Sequence, residues 1–321
     1  MSLFRLFVVS AVAVTVLAVP ALAQETRSFT DDAGRTVEIL ADPQRIASLQ
    51  DLSITIPLIE LGVYPVASHG RTTEAGEGFI RSSKVLTGVD FDNSDITFLG
   101  NLPVDVEAVA AAEPDLIITT PWQTAPVEQL EAIAPTIVLD DTVRGDFGMY
   151  EALAEITGTT DTLAILEGRY DSQIEQIKRL IDTGSISVNV IQGVEGEVLS
   201  WHTYGGLGRV LRDAGFAFPE RVDAIPEGEF ARMSAEALPE LDADFLFVTY
   251  RTDTLETPDD ALGHLENVIP NFCDYLHACR ENQMIVMPRE EASASSYYAL
   301  GVMAYTVISH ISGRDFTPKS E

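Results

Sequence analysis

Lysine is nearly missing from this chain. Of 321 residues only three are Lys and 17 are Arg, against 50 Asp and Glu, for a formal net charge of −30. Such a surface repels phosphate backbones and anionic membrane faces, which argues against nucleic acid as a partner. Cysteine is as scarce, with only Cys273 and Cys279. Two cysteines cannot build a disulfide-framework fold, and neither a CxxC nor a Cys/His zinc pattern occurs. After residue 23 no window approaches the roughly 20 apolar residues of a membrane-spanning helix without charges. Catalytic signatures are missing too: there is no GxSxG elbow and no GxxxxGK[ST] loop. Gly206-Leu-Gly208 opens like GxGxxG, but Leu211 stands at the third glycine position. It reads as a glycine-rich helix start. The run Ser293-Ala-Ser-Ser296 has no base beside it. It reads as the start of the last helix, where Ser favours the cap.

What is present is an ordinary globular mix, 46% hydrophobic and 22% charged. The length suits about two domains, each with its own core. Residues 1–23 carry one base, Arg5, and no acid; residues 6–19 are apolar apart from Ser10 and Thr15; Ala21-Leu22-Ala23 is a small-x-small pattern. This reads as a secretory signal peptide cleaved after Ala23, with an uncleaved anchor as the alternative. No Cys at that point offers a lipid anchor, so a soluble periplasmic chain is expected. From Gln24 on it carries −31, with 50 acids against 19 bases. In an oxidising compartment Cys273 and Cys279 read as bridged. Six residues of straight helix would hold them about 9 Å apart, beyond the roughly 7 Å limit for a disulfide. The bridge therefore needs a bend between Asp274 and Ala278; two free thiols are the alternative.

Short β-branched runs bounded by turn residues predict strands at residues 45–49, 63–68, 115–120 and 136–139, then at 187–192, 244–250 and 284–287. Helical patterns fall between them, at residues 54–61, 104–112 and 127–133, then at 207–214, 235–238 and 296–311. The fold class is therefore α/β: two lobes with mainly parallel central sheets flanked by helices. Leu163, Leu166, Tyr170, Ile174, Ile177 and Ile181 form one helical face, so the lobes are joined by a long rigid helix. The expected units are a first lobe over residues 24–159, the helix over 160–182 and a second lobe over 183–321. Glu107 to Asp115 and Glu236 to Asp244 are both eight apart and offset by 129, and the same offset takes Trp122 to Arg251. That echo suggests a duplicated lobe, although repeated βα units also produce such matches.

Ligand groups in parallel α/β sheets sit just past the carboxyl ends of the strands. Those positions hold His69 and Arg71, Trp122, the segment Trp201-His202-Thr203-Tyr204, Arg232, Arg251 and Arg289. Both tryptophans and four arginines are in the set, which suits a large, partly aromatic, partly anionic ligand. Arg offers planar donors to carboxylate or catecholate oxygens, and Trp and Tyr offer stacking area. The competing readings are surface ion pairing for the arginines and core packing for Trp122 and Trp201. His69 and His202 could complete the coordination of a chelated iron, but two histidines do not make a metal site.

The chain resembles the periplasmic iron-siderophore, haem and cobalamin binding proteins of ABC importers, the class linked by a single helix. The likeness rests on residues 29–38 (FTDDAGRTVE), 43–48 (PQRIAS), 99–107 (LGNLPVDVE) with 113–118 (EPDLII), 130–135 (LEAIAP) and 233–244 (MSAEALPELDAD). It implies a ligand in a shallow cleft between lobes and a surface acid on each lobe that docks on permease arginines. Glu107 and Glu236 stand at those positions, where they also suit helix N-terminal dipoles. An Arg often precedes the first-lobe helix in the family's hydroxamate binders; Asn101 stands there in this chain, which favours catecholate or citrate-type ferric chelates.

The leading expectation is a non-enzymatic, monomeric periplasmic binding protein that passes a ferric siderophore to an ABC permease dimer, with no cofactor of its own. Arg71, Arg232, Arg251 and Arg289 would neutralise the chelate, with Trp122, Trp201 and Tyr204 packed on it. A haem or cobalamin binder would use His202 or Tyr204. A secreted α/β hydrolase would need a nucleophile–base pair, and a free-metal binder would need no chelator.

Overall fold

The computed structural model describes residues 25–319, and the leader expected over residues 1–23 lies outside them. A hairpin of β1 (Thr26–Thr30) and β2 (Thr36–Leu40) opens the chain. The first sheet uses β3 (Ile46–Ser48) and β4 (Ala67–Ser68). A small antiparallel hairpin, β5 (Arg71–Thr72) with β6 (Gly78–Phe79), interrupts it before β7 (Thr97–Phe98), β8 (Leu116–Thr119) and β9 (Thr136–Val138). Its order is β7-β4-β3-β8-β9 and every neighbouring pair is parallel. All four residues of β8 are buried, as a strand covered on both faces requires.

The second sheet is mixed. It holds β10 (Val188–Val194), β11 (Glu197–Trp201), β12 (Phe230–Met233), β13 (Phe245–Tyr250) and β14 (Met284–Pro288), in the order β12-β11-β10-β13-β14. Strands β10, β13 and β14 are parallel, whereas β11 runs antiparallel to both β10 and β12. The sequence reading took residues 201–204 as a segment past a strand end and missed β11 and β12. Glu195 (φ 54°) and Gly196 (φ 81°) turn the chain in two residues, the positive-φ geometry that suits a tight hairpin.

The helix between the lobes spans Thr160–Leu180 and buries Leu163, Tyr170, Ile174 and Ile177. Asp161 in its first turn and Lys178 and Arg179 in its last complement the helix dipole. A second helix that the sequence reading missed, Asp141–Thr157, leads into it and closes at Gly158 in the left-handed region (φ 69°). One apolar core runs through both lobes. It takes Ile118 and Ile137 from the first sheet, Tyr150 and Ile174 from the paired helices, Val190 and Phe247 from the second sheet, and Leu300 and Val307 from the last helix, Tyr297–Ile311. Ser296 caps that helix, its hydroxyl accepting from the Ala299 N–H at 3.1 Å. The lobes are also tied by hydrogen bonds. The Glu60 carboxylate accepts from the backbone N–H groups of Tyr297 (2.9 Å) and Tyr298 (3.0 Å) and from the Tyr150 hydroxyl (2.7 Å).

The internal echo has a structural counterpart. Asp115, just before β8, accepts from the N–H groups of Gln44 and Arg45, which lead into the neighbouring β3. Asp244, just before β13, accepts from the N–H and hydroxyl of Ser187, which leads into the neighbouring β10. The two acids tie equivalent strand starts, and the trio β3-β8-β9 matches β10-β13-β14 in order and direction. Cys273 and Cys279 are bridged with their Cα atoms 5.1 Å apart, the extended residue Leu276 (φ −116°, ψ 117°) supplying the bend.

Candidate ligand-binding cleft

On the first lobe, side chains past β3, β4 and β7 form one polar chain, with Trp122 past β8 packed on it. Asp51 is fully buried and accepts from Arg81 Nε at 2.8 Å and Arg81 Nη2 at 2.5 Å. His69 Nδ1 lies 3.3 Å from Asp51 Oδ1, and His69 Nε2 lies 3.4 Å from Asn101 Oδ1. The same Asn101 oxygen accepts from Arg71 Nη1 at 3.0 Å. Trp122 stands edge-on to His69 at 5.1 Å, with the Arg71 guanidinium 5.5 Å from its ring centre. Burial alone would raise the Asp51 pKa, but the hydrogen bonds and charges of Arg81 and His69 outweigh it and hold the group down to about 2. Asp51 is therefore an ionised anchor that fixes Arg81 and His69 beneath the exposed Trp122.

On the second lobe, a cavity of about 520 Å³ opens above the ends of β10, β13 and β14. Trp201 and Phe230 wall it, their ring centres 6.1 Å apart, and Arg232, Arg251 and Arg289 reach it with His264. The helix Pro258–Val268 brings in His264 because Gly193 allows close approach: a Cβ there would sit 2.5 Å from the His264 carbonyl carbon. Arg251 grips Asp253 through Nε (3.0 Å) and Nη2 (2.9 Å). Arg232 lies 3.5 Å from Glu195 and 3.3 Å from Glu197. Among the described residues Arg289 and Arg71 have no carboxylate within salt-bridge distance.

Between the lobes lies a further cavity of about 300 Å³, which the second-lobe site shares through Arg251 and Arg289. Phe79 and Arg81 line it from the first lobe, Asp253 and Glu290 from the second. The cleft floor thus carries guanidinium groups from both sides.

The sequence-chosen residues fall into these groups unevenly. Arg71, Asn101 and Trp122 are joined on the first lobe, while Trp201, Arg232, Arg251 and Arg289 line the second-lobe cavity. Tyr204 is 4% exposed. Its hydroxyl is held by Gln192 Nε2 and Thr249 Oγ1, both at 2.9 Å, and its ring lies edge-on to Trp201. Burial raises its pKa, so it remains a neutral phenol that props Trp201 and not a stacking surface for ligand. His202 Nδ1 turns to the Thr203 hydroxyl at 3.0 Å, and the residue does not line the cavity. His69 is fully buried, so a His69–His202 pair, already set aside on ligand count, has no reach toward a chelated iron. Among the described residues no group of three His, Cys, Asp or Glu is placed to hold a metal. The sequence reading missed Asp51, Arg81, Phe230, His264 and Glu290. Asp51 and Glu290 lie just past β3 and β14, where the strand-end rule could have found them. Glu107 and Glu236 are both exposed, one on each lobe. Asp105, before Glu107, caps the helix Val106–Ala111.

Comparison with known proteins agrees with this architecture. YxeB, an iron(3+)-hydroxamate-binding protein of Bacillus subtilis, is 29% identical over 194 residues, 57% of this chain and 58% of YxeB. FepB, a ferric enterobactin-binding periplasmic protein of Escherichia coli O6:H1, is 28% identical over 222 residues, 65% of each chain. Matches of this kind span 47–65% of the curated relatives' length. Among solved structures, SirA of Staphylococcus aureus in complex with staphyloferrin B superimposes with a TM-score of 0.70 at 21% identity, over 89% of this chain and 98% of SirA. That likeness shows the two-lobed fold. The periplasmic binding protein family model matches residues 78–268, from the β5–β6 hairpin through the interlobe helix to the helix that carries His264. These relatives are named as binding proteins, and this chain, likewise a binding protein and not an enzyme, belongs to the periplasmic binding protein family.

Proposed function

We propose that the protein captures a ferric siderophore in the interlobe cleft and delivers it from the periplasm to an ABC permease. One observation carries the reading. On a chain with a net charge of −30, the two adjoining cavities gather Arg81, Arg232, Arg251 and Arg289 beside Trp201, Arg71 packs on Trp122 on the first lobe, and among the described residues Arg71 and Arg289 have no acid within salt-bridge distance. Planar donors and indole faces suit the binding of a large anionic chelate. The names of YxeB, FepB and the SirA complex support the same ligand class, since each refers to an iron siderophore or its binding.

Catecholate or citrate-type chelates fit best, because Asn101 has spent its carbonyl oxygen on Arg71 and leaves that guanidinium directed over Trp122. Haem is less favoured: Tyr204 is locked into the scaffold and His202 points elsewhere. Glu107 and Glu236 would meet the permease, one on each lobe, and the protein would act as a monomer released by cleavage after Ala23.

Intrinsic tryptophan fluorescence tests the reading. The purified protein is titrated with ferric catecholate, citrate and hydroxamate chelates, their iron-free forms, hemin and cobalamin. Saturable submicromolar quenching by a ferric catecholate or citrate chelate, weakened by Trp122→Phe, is expected. Saturation by hemin alone would replace this reading, and silence from every ferric chelate would end it.

A further inference from the structure

Of the five histidines, the one that lines the second-lobe cavity is His264. Its side chain is 47% exposed, so the ring is open to whatever enters. Nε2 lies 3.6 Å from Glu256 Oε1, and neither ring nitrogen is in a hydrogen bond among the described residues. Glu256 also lines the cavity, and its Oε2 accepts from the Arg251 backbone N–H at 2.8 Å, which holds the carboxylate beside the imidazole. Charged groups surround the ring from each neighbouring element. Asp260 lies one turn earlier on the same helix, its carboxylate occupied by the Thr257 N–H and hydroxyl. Glu195 comes from the β10–β11 turn, and Arg232 from β12 is shared between it and Glu197. Arg251, past β13, reaches on to Asp253, and Arg289, past β14, has no acid within salt-bridge distance. In the cavity wall three arginines thus meet two acids, Glu195 and Glu256. One positive charge is left over, and a proton on His264 would double it.

We propose that His264 is a specificity-determining ligand contact that takes up a proton when an anionic chelate enters the cavity. This rests on the siderophore reading above and deepens it. In the empty cavity the arginines oppose a proton on the ring. An anionic ligand offsets the arginines, accepts a hydrogen bond from the imidazolium and leaves Glu256 to support the charge from its other side. Coupling between proton and ligand is reciprocal: a ligand that tightens the proton is itself held more tightly by the protonated site. The added affinity is therefore complete at low pH and is lost as pH rises through the range, about pH 5 to 8, in which histidine ordinarily changes charge. A cationic chelate gains nothing from it, so the site separates ligands by charge most sharply on the acid side of neutrality.

The probes are two anionic complexes, ferric enterobactin and ferric citrate, and ferrioxamine B, whose free ammonium makes it cationic. Each is titrated by tryptophan quenching into the wild type, His264→Gln and His264→Arg, at about pH 6 and about pH 8.5, on either side of the histidine range. Comparing proteins at one pH cancels the chelate's own protonation. His264→Gln is expected to bind an anionic chelate about three- to tenfold more weakly than the wild type at the lower pH and within about twofold of it at the higher. His264→Arg, cationic throughout, is expected to match the wild type at the lower pH and to exceed it at the higher. A His264→Gln deficit of the same size at both pH values, or no deficit at either, would overturn the inference, since a residue that only packs or holds its helix does not follow pH. If His264→Gln folds poorly, the arginine variant decides: no gain over the wild type at the higher pH would overturn it equally. Silence from both anionic probes while ferrioxamine B or another ferric chelate binds would overturn it and leave siderophore capture intact. Silence across the whole ferric panel would remove the siderophore reading and this inference with it.

Discussion

Replacing Glu60 with Gln tests how firmly the lobes are joined. The carboxylate reaches from the first lobe to the start of the last helix of the second, accepting two backbone N–H groups there and the hydroxyl of the buried Tyr150. Gln keeps one acceptor. Its amide N–H₂ then faces a donor, either the Tyr297 N–H with the Tyr150 hydroxyl or the Tyr298 N–H. An unsatisfied buried donor costs about 1–3 kcal/mol. The lost negative charge at the N-terminus of a 15-residue helix removes about 0.3–1 kcal/mol more. The sum is about 1–4 kcal/mol. At about 2–4 °C per kcal/mol for chains of this size, Tm should fall by about 3–15 °C. Far-UV circular dichroism melts at neutral pH measure it, with the exposed Glu107→Gln as a control expected to move little. A Glu60→Gln protein that melts within about 1 °C of wild type would refute the reasoning. The continuous apolar core would then have to hold the lobes without this tie.

Three further outcomes follow from the site and its supports. Arg289→Ala and Arg71→Ala should each weaken ferric-chelate binding by about ten- to a hundredfold in a fluorescence titration, because neither guanidinium is shared with an acid. Asp51 is held at about 2 against an ordinary 3.8, so its contribution is full above about pH 4 and is lost as pH falls toward 2. Unfolding free energies from denaturant titrations at pH 5 and pH 2.5 should differ by about 2 kcal/mol from this group, and Asp51→Asn should remove that part of the difference. Replacing both Cys273 and Cys279 with Ser releases a short loop, and a loss of about 2 kcal/mol in a urea titration is expected from chain entropy.

The interlobe helix and the central parallel strands were legible because each announces itself locally. Leu163, Tyr170, Ile174 and Ile177 repeat at helical spacing, and β8 and β13 are unbroken apolar runs. Strands β11 and β12 were hidden for a physical reason. They are edge-side antiparallel strands with exposed positions, so Glu197, Arg232 and the exposed Phe230 dilute the apolar signal that marks a doubly covered strand. The helix Asp141–Thr157 was obscured by Gly145 (φ 69°, ψ 164°), which breaks it near its start. In the site, the strand-end rule located arginines and tryptophans but could not say which were free. Whether Arg251 faces ligand or Asp253, and whether Tyr204 stacks on ligand or props Trp201, depends on partners brought together by tertiary structure. Asp51 was overlooked because an acid in a chain with 50 of them attracts no notice; only its burial sets it apart.

The acids around the cleft bear on how an acidic protein can hold an anion. Five guanidiniums in one cleft would repel one another if left bare. Three of them are instead fixed by carboxylates of the same lobe: Arg81 by Asp51, Arg251 by Asp253, and Arg232 by Glu195 and Glu197. A guanidinium gripped on one edge by a carboxylate still presents its other N–H donors, already oriented, so less side-chain entropy is lost when a ligand arrives. Its field is also partly cancelled, which leaves it a weak discriminator of ligand charge. Arg71 and Arg289 are not cancelled in this way, and they stand on opposite lobes. A ligand small enough to meet only one of them gains half of the available discrimination. On the siderophore reading proposed above, a chelate that reached both lobes would meet both. On that reading size and charge would be read together, by lobes that share one core and the Glu60 tie.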